Sequence, residues 1–256
     1  MKTLILPYFF FCAIVISIGC KPIPSMLPNM VVVQGGTFQM GSGSTEVYTQ
    51  PSHSVTLSDF YIGKYEVTQK LWREIVLWKQ ANGGTSLSES PSSEFKGDSL
   101  PVGQVSWYDI QDWLSYLNQR EGTTKYRLPT EAEWEYSARG GNRSQGYTYC
   151  GSNTLDSVAW HLGNSDYRPH SVGTMKANEL GIFDMSGNVD EWVNDWDGPC
   201  TTSAQTNPTG PESGVVRMSR GGGWYSSDNG CRIVLRGGGG PDIRFVNVGF
   251  RIARNY

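Results

Sequence analysis

The chain has 256 residues, 38% hydrophobic and 18% charged, with a formal net charge of −3. Nine Trp, 13 Tyr and nine Phe carry too much burial for a disordered chain. A pI near 5.7 with no Lys/Arg run excludes a basic stripe, so no nucleic-acid partner is expected. The 31 glycines and the low charge point to a loop-rich fold rather than a helical bundle. No repeat of fixed period is visible, which excludes solenoids and propellers.

The first 19 residues read as a signal peptide. Lys2 is followed by an apolar run from Leu4 to Gly19, broken only by Pro7 and Ser17. That run is shorter than the roughly 20 residues a bilayer span needs and suits a signal core. Ile16-Ser17-Ile18-Gly19-Cys20 resembles a bacterial lipobox, with Ser17 where Leu is usual. Cleavage before Cys20 would lipidate its thiol, and acyl chains add about 0.8 kcal/mol per buried CH₂. Residues 20–30 contain Pro22, Pro24 and Pro28, which suits a stiff tether. The expectation is a lipid-anchored protein at the bacterial outer membrane or cell surface. Cys150, Cys200 and Cys231 then remain, an odd number. A Cys150–Cys200 disulfide is open, and Cys231 reads as a buried small hydrophobe.

Residues 31–256 carry no Pro-rich linker and read as one α+β domain. Residues 31–33 and 37–41 read as strands around Gly35-Gly36, and residues 53–57 and 60–62 as a second pair. Thr68 caps a helix to about Lys79, with Leu71, Trp72, Ile75 and Val76 on one face. Residues 82–98 are polar and loop-like. Ser106 caps a second helix with the stripe Ile110, Trp113, Leu114, Leu117. Thr130 and Glu133 form a capping box for a third, short helix. From Gly140 onward turns dominate.

Six blocks then occur in order. They are Gly35-Gly36-Thr37-Phe38-Gln39-Met40-Gly41; Phe60 to Thr68; Pro101-Val102 with Val105-Ser106-Trp107; Tyr126 to Glu135; Gly181 to Trp192; and Arg220-Gly221-Gly222, with Gly249-Phe250-Arg251 closing. Together they resemble the formylglycine-generating-enzyme, or sulfatase-modifying-factor, domain across about residues 31–254. The resemblance implies a variant of the C-type-lectin fold with an antiparallel sheet core, two main helices and long ordered loops. It also implies a structural Ca²⁺ site with the Asp184 and Glu191 side chains and the Gly187 and Val189 carbonyls as ligands, a hard-oxygen set that suits the ion. The family's other calcium site expects an Asn near Ala159-Trp160, and none is there.

Fold does not give function. The family's oxidase chemistry uses two cysteines five residues apart that bind copper. Here the second matches Cys231 and the first falls on Ser226, and a hydroxyl is a poor ligand for soft Cu(I). His53, His161 and His170 lack paired-ligand spacing. The segment of about residues 221–250 is more telling. It holds Tyr225, Ser226 and Ser227, then Leu235, four consecutive glycines (Gly237, Gly238, Gly239, Gly240), then Ile243, Phe245 and Val246. It resembles the variable region of proteins diversified by a retroelement, of the treponemal variable lipoprotein type, in which adenine-specific errors rewrite Asn codons. Such errors yield Gly, Ser, Asp, Tyr, Ile, Val, Leu or Phe but not Trp, Gln, Glu, Lys or Met, and none of those five occurs between 225 and 248.

The resemblance makes those eleven residues the ligand-facing set. Trp224, Cys231, Arg232, Arg236, Pro241 and Arg244 become fixed scaffold, and Tyr225 and Phe245 the aromatic anchors. The function it implies is non-catalytic binding of a protein, or of another surface molecule, on a host or neighbouring cell. A fixed adaptor lipoprotein of the same fold is the alternative, and a formylglycine-generating oxidase a weaker one. The tryptophans at 72, 78, 107, 113, 134 and 192 read as packing. Asp195, Asp197 and Glu191 read as scaffold acids, and Arg127, Arg139 and Arg220 as members of buried networks.

Overall fold

The computed structural model of the chain describes residues 29–43, 49, 51–92, 94–199 and 201–256. The signal-like segment, Cys20 and Cys200 lie outside the described residues. Asn29 and Met30, read above as tether, already belong to the fold. The Asn29 carbonyl accepts from Lys64 N at 2.8 Å, and Met30 opens the first strand. Among the described residues no helix is long and apolar enough to cross a membrane.

Four strands come first: β1 (Met30–Val33), β2 (Gly36–Met40), β3 (His53–Leu57) and β4 (Phe60–Gly63). The expected pairs around Gly35 do not form. β1 pairs antiparallel with β4 and β2 with β3, so residues 30–40 and 53–63 make one ribbon that leaves one sheet for another at its middle. The kink is fixed where Gly35 N donates to Asp59 Oδ1 at 2.8 Å.

Helix α1 (Gln69–Ala81) is capped by Thr68, whose hydroxyl accepts from Leu71 N, and it buries Trp72, Ile75 and Val76. Helix α2 (Trp107–Glu121) carries a full Ser106/Asp109 capping box and buries Ile110, Trp113, Leu114 and Leu117. Trp72 and Trp113 stack at 5.9 Å, and both meet Phe250 edge-on, so the stripes of the two helices close over one aromatic core. Strand β5 (Tyr126–Arg127) leads into α3 (Glu131–Ala138), held by the Thr130/Glu133 capping box.

The remaining strands are β6 (Asp190–Trp196), β7 (Gln205–Thr206), β8 (Arg217–Arg220), β9 (Arg236–Gly239), β10 (Val248–Gly249) and β11 (Ala253–Asn255). Among the described residues they complete three sheets, ordered β1-β4-β11-β5, β10-β6-β8-β9 and β2-β3-β7. Pairing is antiparallel except for β10 with β6 and β7 with β3. This is the α+β, C-type-lectin type of fold expected.

Helix α3 has no exposed face: all eight residues are buried, including Glu131, Glu133 and Glu135. Buried carboxylates need partners, and arginines from flanking elements supply them. Arg127 grips Glu133 with two bonds at 2.6 and 2.7 Å, Arg139 and Arg220 share Glu135, and Arg236 binds Glu131 at 2.7 and 3.0 Å. Since Arg220 ends β8 and Arg236 opens β9, this network fixes both ends of the segment between them.

Candidate ligand-binding surface

The segment after β8 starts with Gly221 and Gly222, both at positive φ (101° and 65°). A Cβ on Gly222 would lie 2.5 Å from the Gly230 carbonyl, so the turn closes only with glycine there. Asp190 anchors this root, accepting from Ser219 Oγ at 2.6 Å and from Gly222 N at 3.3 Å. The chain then makes a short 3₁₀ turn over Asp228–Cys231, runs back as β9, and returns through residues 240–247 to β10.

Burial divides the residues of this segment. Trp224 and Cys231 are buried. Arg236 is bound to Glu131, Arg244 grips Asp109 with two 2.7 Å bonds, and Arg232 and Pro241 are half-buried. Tyr225 (59% exposed), Ile243 (44%) and Val246 (37%) present apolar side chains to solvent, and Ser227 and Gly238 are also exposed. Ser226, Leu235, Gly237, Gly239 and Gly240 are half-buried. None of the eleven expected ligand-facing residues lies in the core.

Two of the sequence expectations need correction. The glycine run does not belong to the turns that dominate from Gly140 onward: Gly237, Gly238 and Gly239 are strand β9, paired with Ser219, Met218 and Arg217 of β8 at the sheet edge. Phe245 does not stand out as an anchor. Its ring packs on Trp192 (centroids 6.3 Å apart) and fills the space where a Gly239 Cβ would lie 2.6 Å from its ring. The exposed aromatic partner of Tyr225 is instead Tyr167, 62% exposed, with ring centroids 5.9 Å apart. Tyr167 and its neighbour Asp166 both hold left-handed backbone (φ 56° and 53°), which a tyrosine adopts only when its surroundings impose it. Pattern reasoning missed Tyr167 because nothing in its local sequence signals that conformation. Leu162, also exposed, adjoins this pair, its N–H bonding the Ser226 carbonyl.

The calcium candidates lie in a curled loop, with Asp184, Gly187 and Asn188 all at positive φ. Asp184 is buried. Its Oδ2 accepts from Gly173 N at 2.6 Å, while Oδ1 has no hydrogen-bond partner. Glu191 is committed: Arg251 binds both its oxygens, at 2.5 and 2.6 Å, and Trp134 Nε1 donates to one at 2.7 Å. Glu66 is also buried here and takes bonds from Asn188 Nδ2 and Val189 N. Burial, then the neighbouring carboxylates, raise Glu66 well above the usual range, and burial pushes Asp184 up to about 6. Three carboxylates thus face one guanidinium, a charge balance that fits a divalent cation. The unpartnered Asp184 oxygen fits its ligation, whereas Glu191 is already shared with Arg251. Among the described residues no group of three His, Cys, Asp or Glu side chains converges as a metal centre.

Cys231 is fully buried, and burial pushes its thiol up to about 12; Cys150 is likewise a free, buried thiol pushed up to about 12. The Ser226 hydroxyl accepts from Gly223 N at 2.9 Å. Neither group of the expected copper pair is a ready thiolate. The histidines do not converge either. His161 bonds Asp156, His170 stacks on Trp160 at 3.7 Å, and His53 Nδ1 lies 3.0 Å from the Pro51 carbonyl.

A rigid, arginine-tied α+β frame that presents an edge strand and exposed tyrosines belongs to the formylglycine-generating type of C-type-lectin fold. Residues 20–256 match the Sulfatase-modifying factor enzyme 1-like domain, and the chain belongs to that family. It is 37% identical to Chaperone protein LppX of Paenibacillus barcinonensis, over 89% of each chain. The solved structure of Treponema denticola variable protein 1 superposes with a TM-score of 0.76 at 29% identity, covering 89% of this chain and 95% of that one. The Formylglycine-generating enzyme of Thermomonospora curvata is 27% identical, over 88% of this chain and 93% of that protein.

Proposed function

We propose that the protein is a surface-displayed, lipid-anchored, non-catalytic binding protein. Its ligand-facing residues in the 221–250 segment are diversified by a retroelement. One observation carries the reading: all eleven residues of the expected ligand-facing set are exposed or half-buried, whereas of the expected scaffold Trp224 and Cys231 are buried and Arg236 and Arg244 are tied by ion pairs. A surface can be rewritten only where its side chains do not hold the fold. The likeness to Treponema denticola variable protein 1 supports it. The partner would be a protein or other molecule on a host or neighbouring cell, met by Tyr225, Ser227, Ile243 and Val246. A preorganised frame loses little entropy on binding.

The test is deep sequencing of the gene's 3′ end and flanking locus through a growing population. Substitutions clustered in codons 225–247 at template adenines, beside a near-copy repeat and a reverse transcriptase gene, are expected. An invariant segment with no repeat nearby would sink diversification. It would favour a fixed protein-binding lipoprotein, a reading supported by the 37% identity to a protein named as a chaperone. The oxidase reading is disfavoured by Ser226 and by the buried thiol of Cys231.

A structural Ca²⁺ is part of the proposal, held at Asp184 and the Gly187 and Val189 carbonyls, with Glu191 adding charge. It would still the 184–191 loop without activating water. Melting in calcium against chelator tests this, with a higher melting temperature in calcium expected.

A further inference from the structure

We propose that the cavity between Asp195 and residues 207–211 is a second binding site, for a compact organic cation such as an ammonium or guanidinium group, with Asp195 as its counter-charge. The cavity measures about 400 Å³, within the range of small-ligand pockets. Glu131 of α3, Asp195 and Trp196 of β6, Arg236 of β9 and Thr209 help to line it, and none of Tyr225, Ser227, Ile243 or Val246 does. It is therefore distinct from the surface proposed above.

Asp195 is only 5% exposed. Its Oδ2 accepts from Glu131 N at 2.8 Å, and among the described residues no group hydrogen-bonds Oδ1. Among those residues no guanidinium hydrogen-bonds it: Arg217, whose charge reaches Asp195, donates to the Asn194 carbonyl and lies over the Trp107 and Trp196 rings. Arg236 binds Glu131 through two bonds and lies 3.4 Å from Asp197, and Arg220 is held by Glu135. A buried carboxylate with no cation hydrogen-bonded to it is costly to ionise, and an entering cation relieves that cost. An anion would meet Glu131 and the ionised Asp195 at like charge, and a neutral polyol would do nothing to favour the ionised form. Trp196 already takes a guanidinium on its ring, with Arg217 Cζ 3.5 Å from the centroid. Its place in the cavity wall suits a second cation.

The test titrates the full-length protein at pH 9, above the pH of about 8 at which the Asp195 carboxyl ionises, with methylguanidinium chloride and with methylurea, a neutral probe of nearly the same shape, at millimolar concentration. Binding is read by saturation-transfer NMR of the probe methyl group. Saturable transfer to methylguanidinium and none to methylurea is expected. Asp195→Asn should weaken binding at least tenfold. Thr209→Trp, which crowds the cavity mouth and leaves Asp195 in place, should do the same if the asparagine variant fails to fold. Equal response to the two probes, no saturable response to methylguanidinium, or unchanged affinity in a folded variant would overturn the proposal.

Discussion

Helix α3 and the segment from Tyr225 to Val246 are joined through Arg236, yet they are built on opposite rules. In α3 every side chain is buried and every carboxylate is hydrogen-bonded or ion-paired. In the later segment most side chains reach solvent, and four successive positions have no side chain at all. The difference separates two kinds of constraint. A buried ion-pair frame tolerates almost no change, because removing one partner strands the other in a low-dielectric interior. An exposed edge strand fixed at its ends tolerates change along its length. Substitutions on either side of that boundary measure how sharp it is.

The largest effect is expected at the frame's deepest ion pair. Arg251 is fully buried and faces Glu191, Glu66 and Asp184. Arg251→Met should cost about 3–5 kcal/mol in urea unfolding, the range for breaking one partner of a buried pair. Added Ca²⁺ should restore part of the loss if a cation occupies the Asp184 loop. A loss under about 1 kcal/mol, within ordinary surface-substitution scale, would mean that the frame is not the fixed half of the molecule.

Next comes the pH dependence carried by Asp195. Burial, then the charge of Glu131, push its carboxyl from an ordinary 3.8 up to about 8. Between those values the folded state binds a proton that the unfolded chain releases, so this group's contribution to stability is full below about pH 4 and is lost as pH rises through about 8. Asp195→Asn keeps an oxygen for Glu131 N and cannot ionise. The variant should therefore gain stability relative to the parent as pH rises from 5 to 8, measured by denaturant midpoints at each pH. A constant difference across that range would place the proton elsewhere.

The helices and their stripes were legible because capping boxes and 3.6-residue spacing are local. Thr68, Ser106 and Thr130 each cap a helix, and Ile110, Trp113, Leu114 and Leu117 are all buried. The family was legible because its blocks are contiguous. The strand pairing was not: Gly35-Gly36 reads as a turn, but Asp59, 24 residues away, makes it a kink in a long ribbon. Two features of the candidate surface were hidden for the same reason. Phe245 looks free until the sheet brings Trp192 beneath it, and Tyr167 is placed beside Tyr225 by two left-handed residues that no periodicity announces. Side-chain chemistry at single positions could be read, but long-range contact could not.

Gly238 tests where the boundary falls inside the segment. It is exposed and belongs to the expected variable set, yet a Cβ there would lie 2.6 Å from the Arg217 carbonyl and 2.9 Å from Val216 Cγ1. Backbone cannot yield as a flexible side-chain tip can. Gly238→Val should cost about 1–3 kcal/mol, the usual price of overpacking, unless β9 shifts outward. Under the diversification reading relatives carrying larger residues at this position must have moved β9. A valine variant of unchanged stability with an altered β8–β9 amide pattern by NMR would show that the edge strand is the adjustable element.

The smallest effect is expected at the tip of the surface. Tyr225, Ser227 and Ile243 are exposed and make none of the ion pairs that hold the frame. Exchanging all three at once for other residues that adenine-directed errors can write, as in Tyr225→Ser, Ser227→Tyr and Ile243→Ser, should move unfolding free energy by no more than about 0.5 kcal/mol per site. Tyr225 carries the main risk, since it leaves the Tyr167 ring, 5.9 Å away, without its neighbour, and such ring pairs contribute about 0.5–1.5 kcal/mol. A triple variant that melts with the parent but loses the parent's partner in a binding screen would separate recognition from folding in one measurement. A triple variant that unfolds would show that this surface holds the fold together, and it could not then be rewritten by any genetic device.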